Sequence, residues 1–376
     1  MVNILVINAG SSTIKWQVVD PESGESSHSG LVEGLGTSPS GEDYRDALLT
    51  ILDSLPQDLE LSAVGHRVVH GGEEFGTPVL ITDEIEGAIE ALSPLAPLHN
   101  PANLAGIRAA RGALADIPHV GVFDTAFHQS LPKAASTLAI PQDLAKEHGI
   151  RKYGFHGTSH QFVTRAASKM LGGDSGAHRI VSLHLGNGSS AAAVKGGKCL
   201  DTSMGFTPLQ GLVMGTRSGD LDPAVVLYLQ RNTQLTTDEI DELLNKKSGL
   251  LGLSGSADFR EVSERALSGE DDAQLALEIW GWRIRHYVGA YAALMGGLDA
   301  VVFTGGIGEN SSLGRIEATK DLAFLGIQLD ENLNTSGDKN ARDISAPGAR
   351  VKILVIPTNE EWEIARETAR AISSPR

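Results

Sequence analysis

Asn8, Gly10, Ser11, Ser12 and Lys15 crowd into "INAGSSTIKW" (residues 7–16), between two apolar runs. Small residues in such a turn leave backbone N–H groups and hydroxyls open to an oxyanion. A second turn of the same kind, "HLGNGSS", begins at His184 and passes through Leu185, Gly186, Asn187 and Gly188 to Ser189 and Ser190. A third glycine cluster, "FTGGIGENS" (303–311), lies between a strand and a helix pattern, where exposed amides and a helix N-terminus suit a nucleotide. No Walker loop G-x-x-x-x-G-K-[ST] is present, and no G-x-G-x-x-G opens a helix after a strand. A phosphate site in this chain must therefore be built from paired hairpins. Taken singly, each hairpin turn reads first as an ordinary tight turn, and Lys15 as a solvated strand residue.

Charged groups then recur in apolar surroundings, where an unpaired charge is costly. Arg67 lies inside "GHRVVHGGE" and Arg217 in the small-residue loop "MGTRSGDLDP". Two guanidiniums at one site would suit a charged, planar phosphoryl group in transfer, and each is equally half of a structural ion pair. His156, in "KYGFHGTSH", stands just before Thr158, a candidate cap for the helix that follows. Asp124 ends the apolar strand "VFD", the usual place for functional residues in α/β folds. Glu360 falls in the first turn of the last helix, where dipole compensation would explain it equally well.

The elements that must position these residues alternate between strand and helix, so the fold class is layered α/β. Strands are expected at 63–70, 119–124, 299–306 and 351–357, besides the two hairpins. Helices are expected at 83–92, 101–115 (with Asn100 as cap and Pro101 in the first turn), 222–231, 236–246, 271–297, 310–322 and 359–372. Residues 20–44, rich in Ser, Gly, Glu and Pro, read as a surface loop. The Gly-Ser-Ser triplets at Gly10 and Gly188 lie about half the chain apart, the mark a duplicated domain would leave.

The bulk numbers set the frame. At 376 residues, with 41% hydrophobic and 21% charged, the chain is long enough for two domains and has an enzyme-like composition. A formal net charge of -16 disfavours nucleic acid and anionic membrane as partners, so an anionic substrate needs local arginines. Cys199 is the only cysteine, which excludes an internal disulfide and leads us to expect a small buried thiol in a reducing compartment. With no secretory signal and no apolar run of membrane-spanning length, a cytoplasmic location is expected.

Taken together, "VINAGSSTIKW", "GHRVVHGGE", "LAPLHNPAN", "FDTAFH", "KYGFHGTSH", "HLGNGSS", "DTSMGFTPLQGLVMGTRSGDLDP", "FTGGIGENS" and "TNEEWEIA" closely resemble the acetokinase family, within the superfamily of sugar kinases, Hsp70 and actin. They run in order from residue 4 to residue 366. The resemblance implies a duplicated actin-like, RNase H-like ATPase fold with an interdomain active-site cleft. It implies an N-terminal domain of residues 1–128 plus 362–376 and a nucleotide-binding C-terminal domain of 129–361. The implied reaction is reversible, Mg2+-dependent transfer of a phosphoryl group from ATP to acetate, giving acetyl phosphate and ADP, with Mn2+ as an alternative metal. Closure on nucleotide and a homodimer formed through the C-terminal domain are implied as well.

By the same resemblance, Asn8 and Glu360 match magnesium-associated positions, and Ser11, Ser12 and Lys15 lie near the nucleotide phosphates. Arg67 matches the carboxylate-binding arginine, Arg217 and His156 the groups that stabilise the transferring phosphoryl, and Asp124 an essential acid. His184, Leu185, Gly186, Asn187 and Gly188 match nucleotide-binding positions. So do Asp258, Phe259 and Arg260, and Gly306, Ile307, Gly308, Glu309 and Asn310. Val69, Leu98, Phe155 and Pro208 match a small apolar pocket for the acyl methyl. Departures are a Thr13 where many relatives carry serine, bulky Trp16 and Trp362, a short region after the first hairpin and a looser match around Asp258. A kinase for propionate or butyrate, and an ATP-driven chaperone or filament protein on the same fold, are the competing readings; the paired Arg67 and Arg217 beside an apolar pocket speak against the latter.

Overall fold

The computed structural model describes residues 2–10, 12–36, 42–173 and 175–373, with backbone only at positions 42 and 175. The chain divides into two compact units. Unit 1 comprises Met1–Gln129, Gly157–Ser159 and Asn359–Arg376; unit 2 comprises Ser130–His156 and His160–Thr358.

Unit 1 holds a six-stranded sheet of β1 (Ile4–Ala9), β2 (Thr13–Val19), β3 (Ser26–Glu33), β4 (Ala63–Val68), β5 (Val79–Leu80) and β6 (His119–Phe123), in the order β3-β2-β1-β4-β6-β5. Successive side chains of a strand point to opposite faces, and both faces of β1 are covered. Leu5 and Ile7 pack with the helices Glu42–Asp53 and Asn100–Ala113. Ile4 and Val6 pack with Val122 and with Ile364 and Ala365 of the last helix, Glu360–Ser373. Burial on both faces explains why β1 reads as a continuous apolar run.

Unit 2 holds β7 (Arg179–Leu185), β8 (Ser189–Lys195), β9 (Lys198–Thr202), β10 (Ala300–Thr304), β11 (Arg342–Asp343) and β12 (Lys352–Val355), in the order β11-β12-β10-β7-β8-β9. Its core packs Val181, Leu183, Val301 and Phe303 against Trp280, Ile284 and Val288 of the long helix Asp271–Met295. Read from the other edge, this is the strand order of unit 1. In each sheet the first two strands form an antiparallel hairpin, the first and fourth run parallel, the fourth and sixth run parallel, and the fifth pairs antiparallel with the sixth. The Gly-Ser-Ser repeat thus marks a topology used twice, with each triplet at its unit's first hairpin.

Several elements differ from the sequence reading. Residues 26–33, expected in a loop, form β3, whose backbone pairs along β2. The helix that starts at Asn100 is capped by His99. Asn100 instead turns its amide inward, donating to His70 O at 3.0 Å and accepting from His70 N at 3.1 Å. The strand expected at 299–306 stops at Thr304, because Gly305 turns into the left-handed region (φ 77°) and opens the helix Gly305–Asn310. Ser189 and Ser190 belong to β8, so the second turn is confined to Gly186–Gly188. Cys199 is fully buried, and burial pushes its thiol well above the usual range. Among the described residues no helix is long and apolar enough to cross a membrane.

Candidate active-site groups in the two units

In unit 1 the predicted charged residues gather around one guanidinium. Arg67, on β4, donates to Asp124 through Nε at 3.1 Å and Nη2 at 2.5 Å, and to Asn8 Oδ1 through Nη1 at 3.2 Å. Glu360 Oε2 lies 3.9 Å from Arg67 Nε. Burial opposes the charge on Arg67, but the Asp124 and Glu360 carboxylates outweigh it and hold the pKa above its ordinary value. Glu360 is pushed the other way. Burial raises its pKa, Arg67 opposes this, and the nearby Asp124 charge adds to it.

Thr158 joins this cluster without having been singled out for it. Read from sequence as a helix cap, it lies inside the helix Gly157–Leu171, whose N-cap is His156. Its hydroxyl has only one proton to share between Asp124 Oδ1 at 3.4 Å and Glu360 Oε2 at 3.3 Å. Gly157 reaches the same residue from the backbone, donating its N–H to Asp124 O at 2.9 Å. Lys15 is paired with Glu361 at 2.5 Å. Ser12 accepts the Leu35 N–H on its carbonyl at 3.0 Å. Ser11 lies outside the described residues. Val69 is buried, whereas Leu98 is 64% exposed.

No group of three or more His, Cys, Asp or Glu side chains able to hold a metal occurs among the described residues. The donors around Arg67 are nonetheless all oxygens. Asn8 Oδ1 and the Glu360 carboxylate suit a hard cation that keeps most of its waters, and an added positive charge would relieve the burial that raises Glu360. These residues fit Mg2+ in type and charge.

In unit 2, Arg217 has the opposite setting. It makes no ion pair with any described residue. Its Nη1 contacts Pro208 O at 3.3 Å and Met214 Sδ at 3.9 Å, and burial lowers its pKa. A Cβ placed on Gly188 would lie 3.6 Å from Arg217 Nη1 and 3.7 Å from His156 Nε2, so the bare glycine leaves the space between guanidinium and imidazole open. Gly215 N donates to Asn187 O at 3.0 Å, which pins the arginine loop to this turn. His156 adopts a left-handed backbone (φ 57°), uncommon outside glycine, and its ring stacks on His184 with centroids 4.3 Å apart. Phe155 is buried and Pro208 is half-buried.

The nucleotide segments also converge. Gly186 and Asn187, Asp258 to Arg260, and Gly306, Ile307 and Asn310 line one cavity of about 800 Å³, although they come from three separate parts of the chain. Asp258 caps the helix Phe259–Leu267, with its Oδ1 accepting from Arg260 N at 2.8 Å. The lining also includes Ser311, which ends the third motif, and Ser263, Leu267, Ser312 and Leu313, which the motifs did not reveal. They share the helical faces that the motif residues introduce, and helical spacing from Phe259 would have pointed to Ser263. Gly308 and Glu309 do not line this cavity, and neither do His184, Leu185 and Gly188 of the second hairpin. Glu309 Oε1 accepts from Gly305 N at 2.8 Å and from Thr358 N at 3.1 Å, holding the loop that presents its neighbours.

Residues 3–366 match the model of the acetokinase family. The chain is 51% identical to the acetate kinase of Leifsonia xyli over 393 aligned positions, covering 99% of each chain. It is 48% identical to the acetate kinase of Thermotoga maritima, covering 98% of each. Among solved structures it matches Porphyromonas gingivalis acetate kinase with a TM-score of 0.93 at 44% identity, over 99% of this chain and 100% of that one. A propionate kinase from Francisella tularensis follows with a TM-score of 0.90 at 42% identity, over 98% of this chain and 99% of that one. Motif order, a strand topology used twice and likeness over nearly the full length agree: the chain belongs to the acetokinase family.

Proposed function

We propose that this chain transfers the γ-phosphoryl group of ATP to acetate, reversibly, giving acetyl phosphate and ADP. A carboxylate oxygen of acetate forms the new bond to phosphorus as the bond to the β–γ bridging oxygen breaks, and ADP leaves with that oxygen. Acetate is already ionised near neutrality, so no base is required. The difficulty is repulsion between anions, and catalysis reduces to positioning and electrostatics.

The observation that carries this reading is Arg217, a guanidinium partly stripped of water, without a carboxylate partner among the described residues, beside a glycine turn whose Gly186 and Asn187 line the large cavity. A half-buried cation in that condition calls for an anion. The cavity takes the nucleotide, and Arg217 with His156 bears on the transferring phosphoryl. In unit 1, Arg67 receives the acyl carboxylate. Asp124 acts by fixing the fork of Arg67, not by taking a proton. Asn8 and Glu360 would hold Mg2+, or Mn2+ in its place, which supplies charge neutralisation on the nucleotide phosphates. Val69, Leu98, Phe155 and Pro208 are the residues proposed to meet the methyl group.

Hydroxamate formation from acetate, ATP and hydroxylamine tests the activity. Absence of hydroxamate with purified protein and Mg2+ would overturn it. Since a propionate kinase also matches over nearly the full length, kcat/KM should be compared across acetate, propionate and butyrate. One methylene in an apolar pocket is worth about 1–3 kcal/mol, so acetate should lead by about tenfold to 200-fold.

We further infer a homodimer formed by unit 2. The helix Pro223–Asn232 buries none of its residues although Val225, Leu227 and Tyr228 face solvent, and Trp282 on the long helix is 65% exposed. Sedimentation should give twice the chain mass, and Tyr228→Glu with Trp282→Glu should shift it towards the monomer; a monomeric wild type would refute the inference.

A further inference from the structure

Behind His156, unit 2 carries a line of buried polar side chains that the proposed reaction does not itself require. His156 Nδ1 lies 2.9 Å from Ser190 Oγ. The same Ser190 Oγ lies 2.8 Å from His160 Nε2, and His160 Nδ1 lies 2.8 Å from Ser182 Oγ. His160, Ser182 and Ser190 are all fully buried. They come from different elements: Ser182 from β7, Ser190 from β8 and His160 from the helix Gly157–Leu171.

A serine hydroxyl has one proton, and these two ring nitrogens are its side-chain partners. Ser190 can donate to only one of them, and when its proton is spent within the line it accepts from the other. With both rings neutral and every proton used within the line, two arrangements satisfy it. In the first, Ser182 donates to His160 Nδ1, His160 Nε2–H donates to Ser190, and Ser190 donates to His156 Nδ1, which leaves His156 with its proton on Nε2. In the second every bond is reversed, and His156 presents a bare lone pair at Nε2. Nε2 is the atom that shares the space at Gly188 with Arg217 Nη1. An anion held there is repelled by a lone pair and accepts a hydrogen bond from an N–H.

We propose that Ser190, His160 and Ser182 are positioning residues that hold His156 as the neutral Nε2–H tautomer, so that it donates to the phosphoryl oxygens alongside Arg217. The titratable or charged groups facing His156 from the described residues of unit 2 include His160 through Ser190, His184 by stacking and Arg217 across Gly188. The line of hydroxyls selects which nitrogen of the neutral ring keeps the hydrogen. Because no net charge moves, the line can reverse only by shifting all its hydrogens together, so the anion and the buried end at Ser182 bias one direction jointly.

The inference rests on His156 acting on the phosphoryl group, and the experiment separates the two claims. Four variants of the full chain are compared: His156→Ala, Ser190→Ala, His160→Ala and His160→Gln, the last keeping an amide donor near the position of Nε2. Expected are a large loss of kcat for His156→Ala, a fall of about tenfold for Ser190→Ala with KM for ATP and acetate within about twofold, and recovery of His160→Gln above His160→Ala. Nitrogen-15 spectra of labelled protein should show the His156 ring as the Nε2–H form in wild type and as a mixture in Ser190→Ala. If His156→Ala leaves kcat unchanged, the role of His156 itself fails. If His156→Ala is crippled while Ser190→Ala keeps wild-type kcat and an unchanged His156 ring spectrum, the positioning line is overturned and the catalytic reading of His156 stands. Should His160→Ala not fold, Ser190→Ala and Ser182→Ala carry the same test, with small side-chain losses that the strands tolerate.

Discussion

Arg67 and Arg217 have the same side chain in opposite surroundings, and their substitutions should separate accordingly. Arg67 is held by Asp124 and Asn8, so its loss also strands a fully buried carboxylate and should lower stability as well as turnover. Arg217 has no carboxylate to strand among the described residues, so Arg217→Ala should leave the denaturation midpoint nearly unchanged. Its kcat should fall by about 10²-fold to 10³-fold, as for other preorganised charge-stabilising groups; steady-state kinetics beside a denaturation curve measures both. A second residue-scale effect concerns His70, whose Nδ1 accepts the Gly72 N–H at 3.0 Å and whose pKa is pulled down by burial to about 4 from 6.5. Between those values the unfolded chain binds a proton that the folded chain refuses. Stability is therefore complete above about pH 7 and falls as pH drops through 6.5 towards 4, by up to about 3 kcal/mol from this group. Urea midpoints at pH 7 and pH 5 should show the drop, and it should be smaller in His70→Asn, which keeps an acceptor near Nδ1 and cannot be charged. His66 and His119, also held neutral by burial, should leave part of the drop in the variant.

At the scale of elements, the helix Gly305–Asn310 presents Gly306, Ile307 and Asn310 to the cavity, yet it is too short to be stable alone. Arg315 clamps its end. Its Nη1 donates to Gly308 O at 2.8 Å and Glu309 O at 3.1 Å, while Nε and Nη2 donate to Asn334 at 2.7 and 2.8 Å. Burial with these neutral partners, and the charge of Arg342, lower its pKa to about 10. Arg315→Met should leave these acceptors unpaired, cost about 3 kcal/mol in stability and raise KM for ATP several-fold without moving KM for acetate. At the helix's other end, a Cβ on Gly305 would approach Leu185 O to 2.8 Å at a positive φ, so only glycine lets the turn pass so close to β7. That requirement makes the third glycine cluster legible in sequence at Gly305, where it marks backbone that no other residue can form. The covering surfaces were not legible. Ser263 and Leu267 reach the cavity only because the fold brings the helix Phe259–Leu267 to the same cavity as Gly306, and Thr158 meets Asp124 and Glu360 through a fold that brings residues far apart in sequence together. Nor was β3 legible, because the pairing that defines it comes from the β2 backbone while its own "SSHSGLVE" alternates only weakly.

At the scale of the whole molecule, the net charge of -16 makes any anion-binding group a local exception, and the arginines are set accordingly in neutral or compensated surroundings. The twofold strand topology accounts for how one motif could be recognised twice in the sequence, although β1–β2 and β7–β8 now carry different partners. Unit 1 departs from a simple half-chain in one respect. Its sheet is covered on one face by the final helix, whose Ile364 and Ala365 pack against Ile4, Val6 and Val122. A chain ended at Asn359 loses that cover together with Glu360. It should show no measurable kinase activity, and limited proteolysis should degrade unit 1 while fragments of unit 2 persist. The order of synthesis adds a consequence. β1 is sealed by a helix made only after unit 2, so unit 1 must wait, one greasy face bare, until that helix has left the ribosome. Newborn chains should therefore lean on chaperones for the whole of that interval, and a ribosome that stalls late should release a product with one sound unit and one that never closes.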